Sequence, residues 1–180
     1  MPEITTLGSK VVYQNKWMAV REDSVRFENG HQGIYGYIDK PNFALIVPIH
    51  EDGTIQMVEQ YRYPVGRRLW ELPLGVWDEE PDADPADMAH AELAEETGLR
   101  AGTMEPFGDF FQASGLAKQC CHMFVATDLS QGAVRREVEE QGMISQAFPF
   151  ERIVEMMGAG DVADVTTIAA FGYLRLLGRI

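Results

Sequence analysis

The spacing of apolar and polar residues changes period several times along this chain. "WMAVREDSVRF" (17–27) reads as a strand, and Asn29-Gly30 within "ENGHQG" is a hairpin turn signal. "IYGYID" is then the return strand. "FALIVPI" (43–49) is an unbroken apolar run, read as a buried strand. "EDGT" turns the chain, and "IQMVEQYR" (55–62) alternates as a strand does. A short strand, "RLWEL" (68–72), leads into "PLG" and a polar loop that runs to Asp84.

The period then becomes helical. Asp84 suits the N-cap, Pro85 the first helical position and Gly98 the C-terminal stop, so a helix is predicted from Pro85 to Thr97. "MEPFGDFFQ" and "QCCHMFVATDL" follow as strands joined by "ASGLAK", and a charged stretch, "RREVEEQG" (135–142), precedes a strand ending near Phe148. "PFERIVEMM" (149–157) and "VADVTTIAAFGYLRLL" (162–177) read as helices, with Met156 and Met157 filling core space. Strands mixed with a few helices predict an α+β domain in which helices cover a mixed sheet. Residues 1–40 are expected to form a strand-rich arm and residues 41–180 the main domain.

Composition narrows the function. The 180 residues suit one domain with a real core. No apolar run approaches the ~20 residues needed to span a bilayer. Cys120 and Cys121 are adjacent and form no disulfide framework, so the expected compartment is the reducing cytoplasm. The formal charge of −13 argues against nucleic acid and acidic membranes as partners. An acidic protein can still hold an anion when a divalent cation stands between them.

Such a cation has an obvious candidate site. In "AELAEETGLRAG" (91–102), Glu92, Glu95 and Glu96 stand at i, i+3 and i+4, on one helix face, where like charges repel. Glutamate is a strong helix former, and a Glu-rich face is ordinarily solvated. The flanking sequence favours chemistry instead. A glycine turn, "ELPLG", and an acidic loop precede the cluster, and "TGL" ends it. A hard cation such as Mg²⁺ takes oxygen ligands, a few carboxylates and substrate phosphates among them.

With these residues in place, "LPLGVWDEEPDADPADMAHAELAEETGLRAG" resembles the Nudix box, G-x5-E-x7-R-E-U-x-E-E-x-G-U, where U is a bulky aliphatic residue. Gly75 matches its first glycine, and Glu92, Leu93, Glu95, Glu96, Gly98 and Leu99 match its distal half. "VEQYRYPVGRRLWELPLG" (58–75) further resembles the lead-in of the branch that hydrolyses nucleoside diphosphate sugars, such as ADP-ribose pyrophosphatase. There are two departures. Gly75 to Glu92 spans seventeen positions where the pattern has fifteen, which leaves Glu79, Glu80 and Asp82 as candidates for the isolated loop glutamate. Ala91 stands where the family has an arginine that braces the glutamates through charge-assisted hydrogen bonds.

The resemblance implies a Nudix fold, an α/β/α sandwich with a mixed β-sheet, whose arm is exchanged between the subunits of a homodimer. It implies a Mg²⁺-dependent pyrophosphohydrolase, with Mn²⁺ as an alternative ion, that cleaves a nucleoside diphosphate sugar to a nucleoside monophosphate and a sugar phosphate. Glu92, Glu96 and the main-chain carbonyl of Leu74 are the implied metal ligands. Glu95 is a third ligand or orients the water. Arg62 approaches the substrate phosphates, and Glu71 joins the outer metal shell or sits at a strand end on the surface. Glu140 or Glu139 is the implied general base. Lys118 is a phosphate contact or a surface lysine. Its loop, "QASGLAKQ" (112–119), lacks the proline and the acidic residues frequent in ADP-ribose pyrophosphatases, which leaves the sugar open. Trp17 stacks on a base, packs in the core or meets a second subunit. Arg67 and Arg68 read as surface residues, His90 as non-ligating and His122 as structural. Two rival functions remain: a sensor of nucleotides or metabolites with weakened chemistry, for which Ala91 speaks, and a Nudix hydrolase of another nucleotide class.

Overall fold

The computed structural model describes residues 3–76, 83–134 and 142–180. Among them the strands are β1 (Ile4–Gln14), β2 (Ala19–Phe27), β3 (Gln32–Asp39), β4 (Phe43–Pro48), β5 (Ile55–Arg62), β6 (Arg67–Glu71), β7 (Leu74–Gly75), β8 (Leu99–Phe111), β9 (Ala117–Lys118), β10 (Cys120–Gln131) and β11 (Ile144–Phe148). The helices are α1 (Pro85–Thr97), α2 (Phe150–Ala159) and α3 (Val165–Leu176). The fold is α+β, as expected. None of the described helices is long and apolar enough to cross a membrane.

The strands divide into three sheets, ordered β1-β2-β3-β9, β7-β4-β10-β8 and β11-β5-β6. The second is mixed: β10 runs parallel to β4 and antiparallel to β8. The apolar run of β4 explains its central place, because every one of its six residues is buried. Its odd and even residues serve different cores. Phe43, Leu45 and Val47 pack with β5, β10, α2 and α3. Ala44 and Ile46 pack under α1 with Met88, Ala89 and Leu93. A strand clad on both faces can be apolar throughout.

The arm departs most from the hydrophobic pattern. "ITTLGSKVVYQ" carries no clear strand period, yet it is an eleven-residue strand. It lies at a sheet edge, pairs only with β2 and is exposed along almost its whole length, so no core imposes alternation on it. The arm is also not isolated. β3 pairs in parallel with β9, which joins the arm sheet to the 112–119 segment of the main domain. β8 starts at Leu99, earlier than the pattern predicts. Gly98 takes a left-handed φ of 75° after α1, and the chain passes directly into pairing with Gln131.

Candidate active site

The register of α1 is fixed at both ends. The Asp84 side chain accepts the Ala86 N–H, Pro85 opens the helix, and the Gly98 N–H donates to the Ala94 carbonyl. This register turns Glu92 and Glu96 inward, beside Met88, Ala89 and Leu93, and both carboxylates are buried. Glu95 is half-buried, and His90 points to solvent.

β7 receives these side chains. It is held antiparallel to β4, with Gly75 opposite Ala44 and Leu74 opposite Leu45. The Glu92 carboxylate lies so close to Gly75 that a Cβ there would overlap it. The box glycine is thus a steric requirement, since it makes the room that Glu92 occupies. One turn further along, Oε2 of Glu96 accepts the Leu74 backbone N–H at 3.2 Å. Two carboxylates from a helix therefore converge on two consecutive residues of a strand. An oxygen-only set that gathers buried anions at one backbone point fits a hard divalent cation, the kind of ion Nudix hydrolases generally use.

β5 and β6 bring a third buried carboxylate and a cation. Glu71 is 2 % exposed, so it is not a surface residue. Arg62 Nε donates to both of its carboxylate oxygens, at 3.0 and 2.9 Å, and Nη2 also donates to Oε2. Burial alone would lower the Arg62 pKa. Hydrogen bonding to Glu71 and the charges of Glu71, Glu96 and Asp164 outweigh it, so the guanidinium is held more firmly protonated than an ordinary arginine. Glu96 thus feels a positive charge supplied from β5. Sequence reasoning missed this role for Arg62, because residues 62 and 96 are joined only by the packing of the hairpin against α1. The site's floor is also tied to α3: the Leu72 N–H donates to Thr167 Oγ1, and Asp164 caps that helix.

Other candidates lie elsewhere. Trp17 is exposed in the turn between β1 and β2, with Lys16 Nζ 4.4 Å from its ring centroid, so it packs in no core of its own chain. Lys118, on β9, lines a mostly apolar cavity of about 340 Å³ with Tyr35, Tyr37, Phe111 and Leu116. Arg67 donates to the Gly160 carbonyl, and Arg68 pairs with Glu59, both on the surface. His122 bonds Asp109 across the β8–β10 ladder at 2.8 Å. Glu79, Glu80, Asp82, Glu139 and Glu140 lie outside the described residues.

Known proteins resemble this chain in sequence and fold. The model of the NUDIX domain matches residues 40–166, and that of the nucleoside diphosphate sugar hydrolase N-terminal domain matches residues 4–38. An ADP-ribose pyrophosphatase of Mycobacterium tuberculosis is 30% identical over 93% of this chain and 81% of its own length. One from Bacillus subtilis is 27% identical over 97% of this chain and 94% of its own. A crystal structure of an ADP compounds hydrolase superimposes with a TM-score of 0.85 at 20% identity, covering 100% of this chain and 98% of that one, and so shares the fold. With the domain match spanning most of its length and Glu92 folded against Gly75, the chain belongs to the Nudix hydrolases.

Proposed function

We propose that this protein hydrolyses the pyrophosphate bond of a nucleoside diphosphate sugar of the ADP-ribose class, with Mg²⁺, to a nucleoside monophosphate and a sugar phosphate. The observation that carries the reading is the seating of Glu92 and Glu96 on Gly75 and Leu74. The relatives named above and the arm that precedes the domain support the substrate class. Glu92, Glu96 and the Leu74 carbonyl would hold the cation, and Mn²⁺ could replace Mg²⁺. When bound, the ion supplies charge neutralisation for the diphosphate and a more acidic water.

The chain's own residues do the rest. Glu95, half-exposed beside the buried pair, orients the water. Arg62, anchored by Glu71, faces Glu96 on one side and offers its remaining donors to a substrate phosphate, which a planar fork recognises well. Glu139 or Glu140 takes the proton of the attacking water. Lys118 and Trp17 extend the binding surface toward the sugar and the base. The exposed apolar residues of the arm sheet, Ile4, Leu7, Val11, Val12 and Ile34 among them, suit a homodimer that buries them, and the cytoplasm suits two free cysteines.

The test is monophosphate release with Mg²⁺ from ADP-ribose, GDP-mannose, UDP-glucose and ATP. Turnover on a diphosphate sugar is expected, together with its loss in folded Glu96→Gln. An unchanged rate in that variant would remove Glu96 from the site. Ala91 favours one alternative, a metabolite sensor. Metal-dependent binding with no turnover on any of the four compounds would establish it instead.

A further inference from the structure

A second cluster of donor groups lies on the same face of the central sheet. Gly75, Ala44, His122 and Asp109 are successive register partners across β7, β4, β10 and β8. Register partners point their side chains to one side, here the side covered by α1. Cys120 is two residues before His122 on β10 and so shares that side. His122 is two strand spacings, about 10 Å, from Gly75. One ligand atom from each of Asp109, Cys120 and His122 lies within 4.8 Å of the others.

We infer that Asp109, Cys120 and His122 form a second metal site, selective for a borderline divalent cation of the Zn²⁺ class. The donor set is the reason. One sulfur, one nitrogen and one oxygen suit Zn²⁺, whereas the all-oxygen glutamate site suits Mg²⁺. Tetrahedral Zn²⁺ with bonds of roughly 2.0–2.3 Å sets its ligand atoms about 3.6 Å apart. The 4.8 Å bound is wider than that spacing and the 2.8 Å between Asp109 and His122 is narrower, so the side chains must rearrange to take an ion. Asp109 can supply the movement, because its side chain is 70% exposed, while the His122 ring is held between strands at 19%. Water completes the fourth position. If Asp109 keeps its bond to the ring, it acts instead as the carboxylate that orients a ligating histidine.

The Cys120 thiol is partly buried and lies within reach of both other donors. Binding converts the S–H bond to a metal–sulfur bond and releases one proton to solvent. Cys121 faces the opposite core and is fully buried, with its pKa pushed up to about 12 by that burial, so it cannot serve.

Cobalt titration of the intact protein in excess Mg²⁺ tests the assignment. A thiolate-to-cobalt charge-transfer band is expected at one equivalent, displaced by Zn²⁺. It should persist in Glu92→Gln and Cys121→Ser, vanish in Cys120→Ser, and need at least tenfold more cobalt in Asp109→Asn, whose exposed position spares the fold. No band at saturating cobalt would overturn the site, as would a band that survives Cys120→Ser. Retention in Glu92→Gln separates this result from failure of the glutamate site.

Discussion

The β5–β6 hairpin carries one arginine–glutamate pair on each face, and in both the partners are nine residues apart in sequence. Arg68 and Glu59 meet at 2.6 Å on the outer face, with side chains 38% and 20% exposed. Arg62 and Glu71 meet on the inner face, where Glu71 is 2% exposed and Glu96 lies close enough to act on the arginine. The chemistry is the same, but the surroundings differ. Water screens the outer pair, and such pairs contribute about 0–1 kcal/mol. In the inner pair Glu71 is shielded from water, so losing Arg62 strands its charge. The inner pair also belongs to a site that gathers several carboxylates. On the proposed function, its arginine would serve the site as well as the fold.

The largest effect should come from Arg62→Ala. Glu71 would stay buried without its fork, and urea denaturation should show a loss of about 3 kcal/mol, toward the low end for a broken buried pair because Arg62 is itself one-third exposed. Turnover should fall with it. A loss no greater than that of a surface pair would remove the contrast between the two faces. Arg62→Leu combined with Glu71→Leu separates the two roles. Replacing both charges with apolar groups should restore most of the stability. It should leave turnover low, because Glu96 still lacks its neighbouring charge. Recovered turnover in this double variant would show that Arg62 serves only the fold.

Gly75→Ala should do the opposite, with a small effect on stability and a large one on chemistry. The added Cβ meets the end of a flexible side chain, so Glu92 can swing aside with modest strain, on the order of 1 kcal/mol. On the proposed assignment, the displaced carboxylate would no longer share a cation with Glu96. Turnover should drop by at least an order of magnitude, with the midpoint of thermal unfolding shifted by only a few degrees. A Mg²⁺ requirement and rate like those of the parent would mean that Glu92 need not sit against β7.

The contrast also separates what the sequence made legible from what it hid. Asp84, Pro85 and Gly98 are local signals, and α1 has the bounds they predict. Glu92 and Glu96 share a face because helical spacing demands it, and the Gly75 contact joins two residues that the box pairs, across two more positions than its pattern has. The alternation in β5 likewise matches its observed limits. What was hidden depends on tertiary packing. Arg62 read as a phosphate contact and Arg68 as a surface residue, but neither reading gave their partners Glu71 and Glu59, which only the pairing of β5 with β6 brings together. Glu71 had two readings until β6 was seen to bury it. β1 was illegible for a different reason: an exposed edge strand is under no pressure to alternate. Cys120, His122 and Asp109 gave no motif, because cross-strand register joins residues of unrelated spacing.

Arg68→Ala should be the mildest change to the hairpin's stability. Its pair is partly exposed, and its bonds to the Glu59 and Gly142 carbonyls can be replaced by water, so the loss should stay near 1 kcal/mol or less. Adding salt should shrink it further.

Ala91→Arg bears on the inner face from the other side. It restores the residue that the Nudix pattern places before the first distal glutamate, on a helix with no basic residue in its last turn. If the glutamates lacked a countercharge, the new guanidinium would relieve their repulsion, and turnover would rise strongly. Arg62 already lends positive charge to Glu96 from β5, held in place by a buried partner. The expected gain is therefore well under an order of magnitude in the parent. It should be larger in the Arg62→Leu/Glu71→Leu background, where the β5 cation is gone. Measuring kcat with and without Ala91→Arg in both backgrounds gives the coupling between the two arginine positions directly. Equal gains in the two would mean that the arginines act independently, and that Arg62 does not stand in for the residue missing from α1.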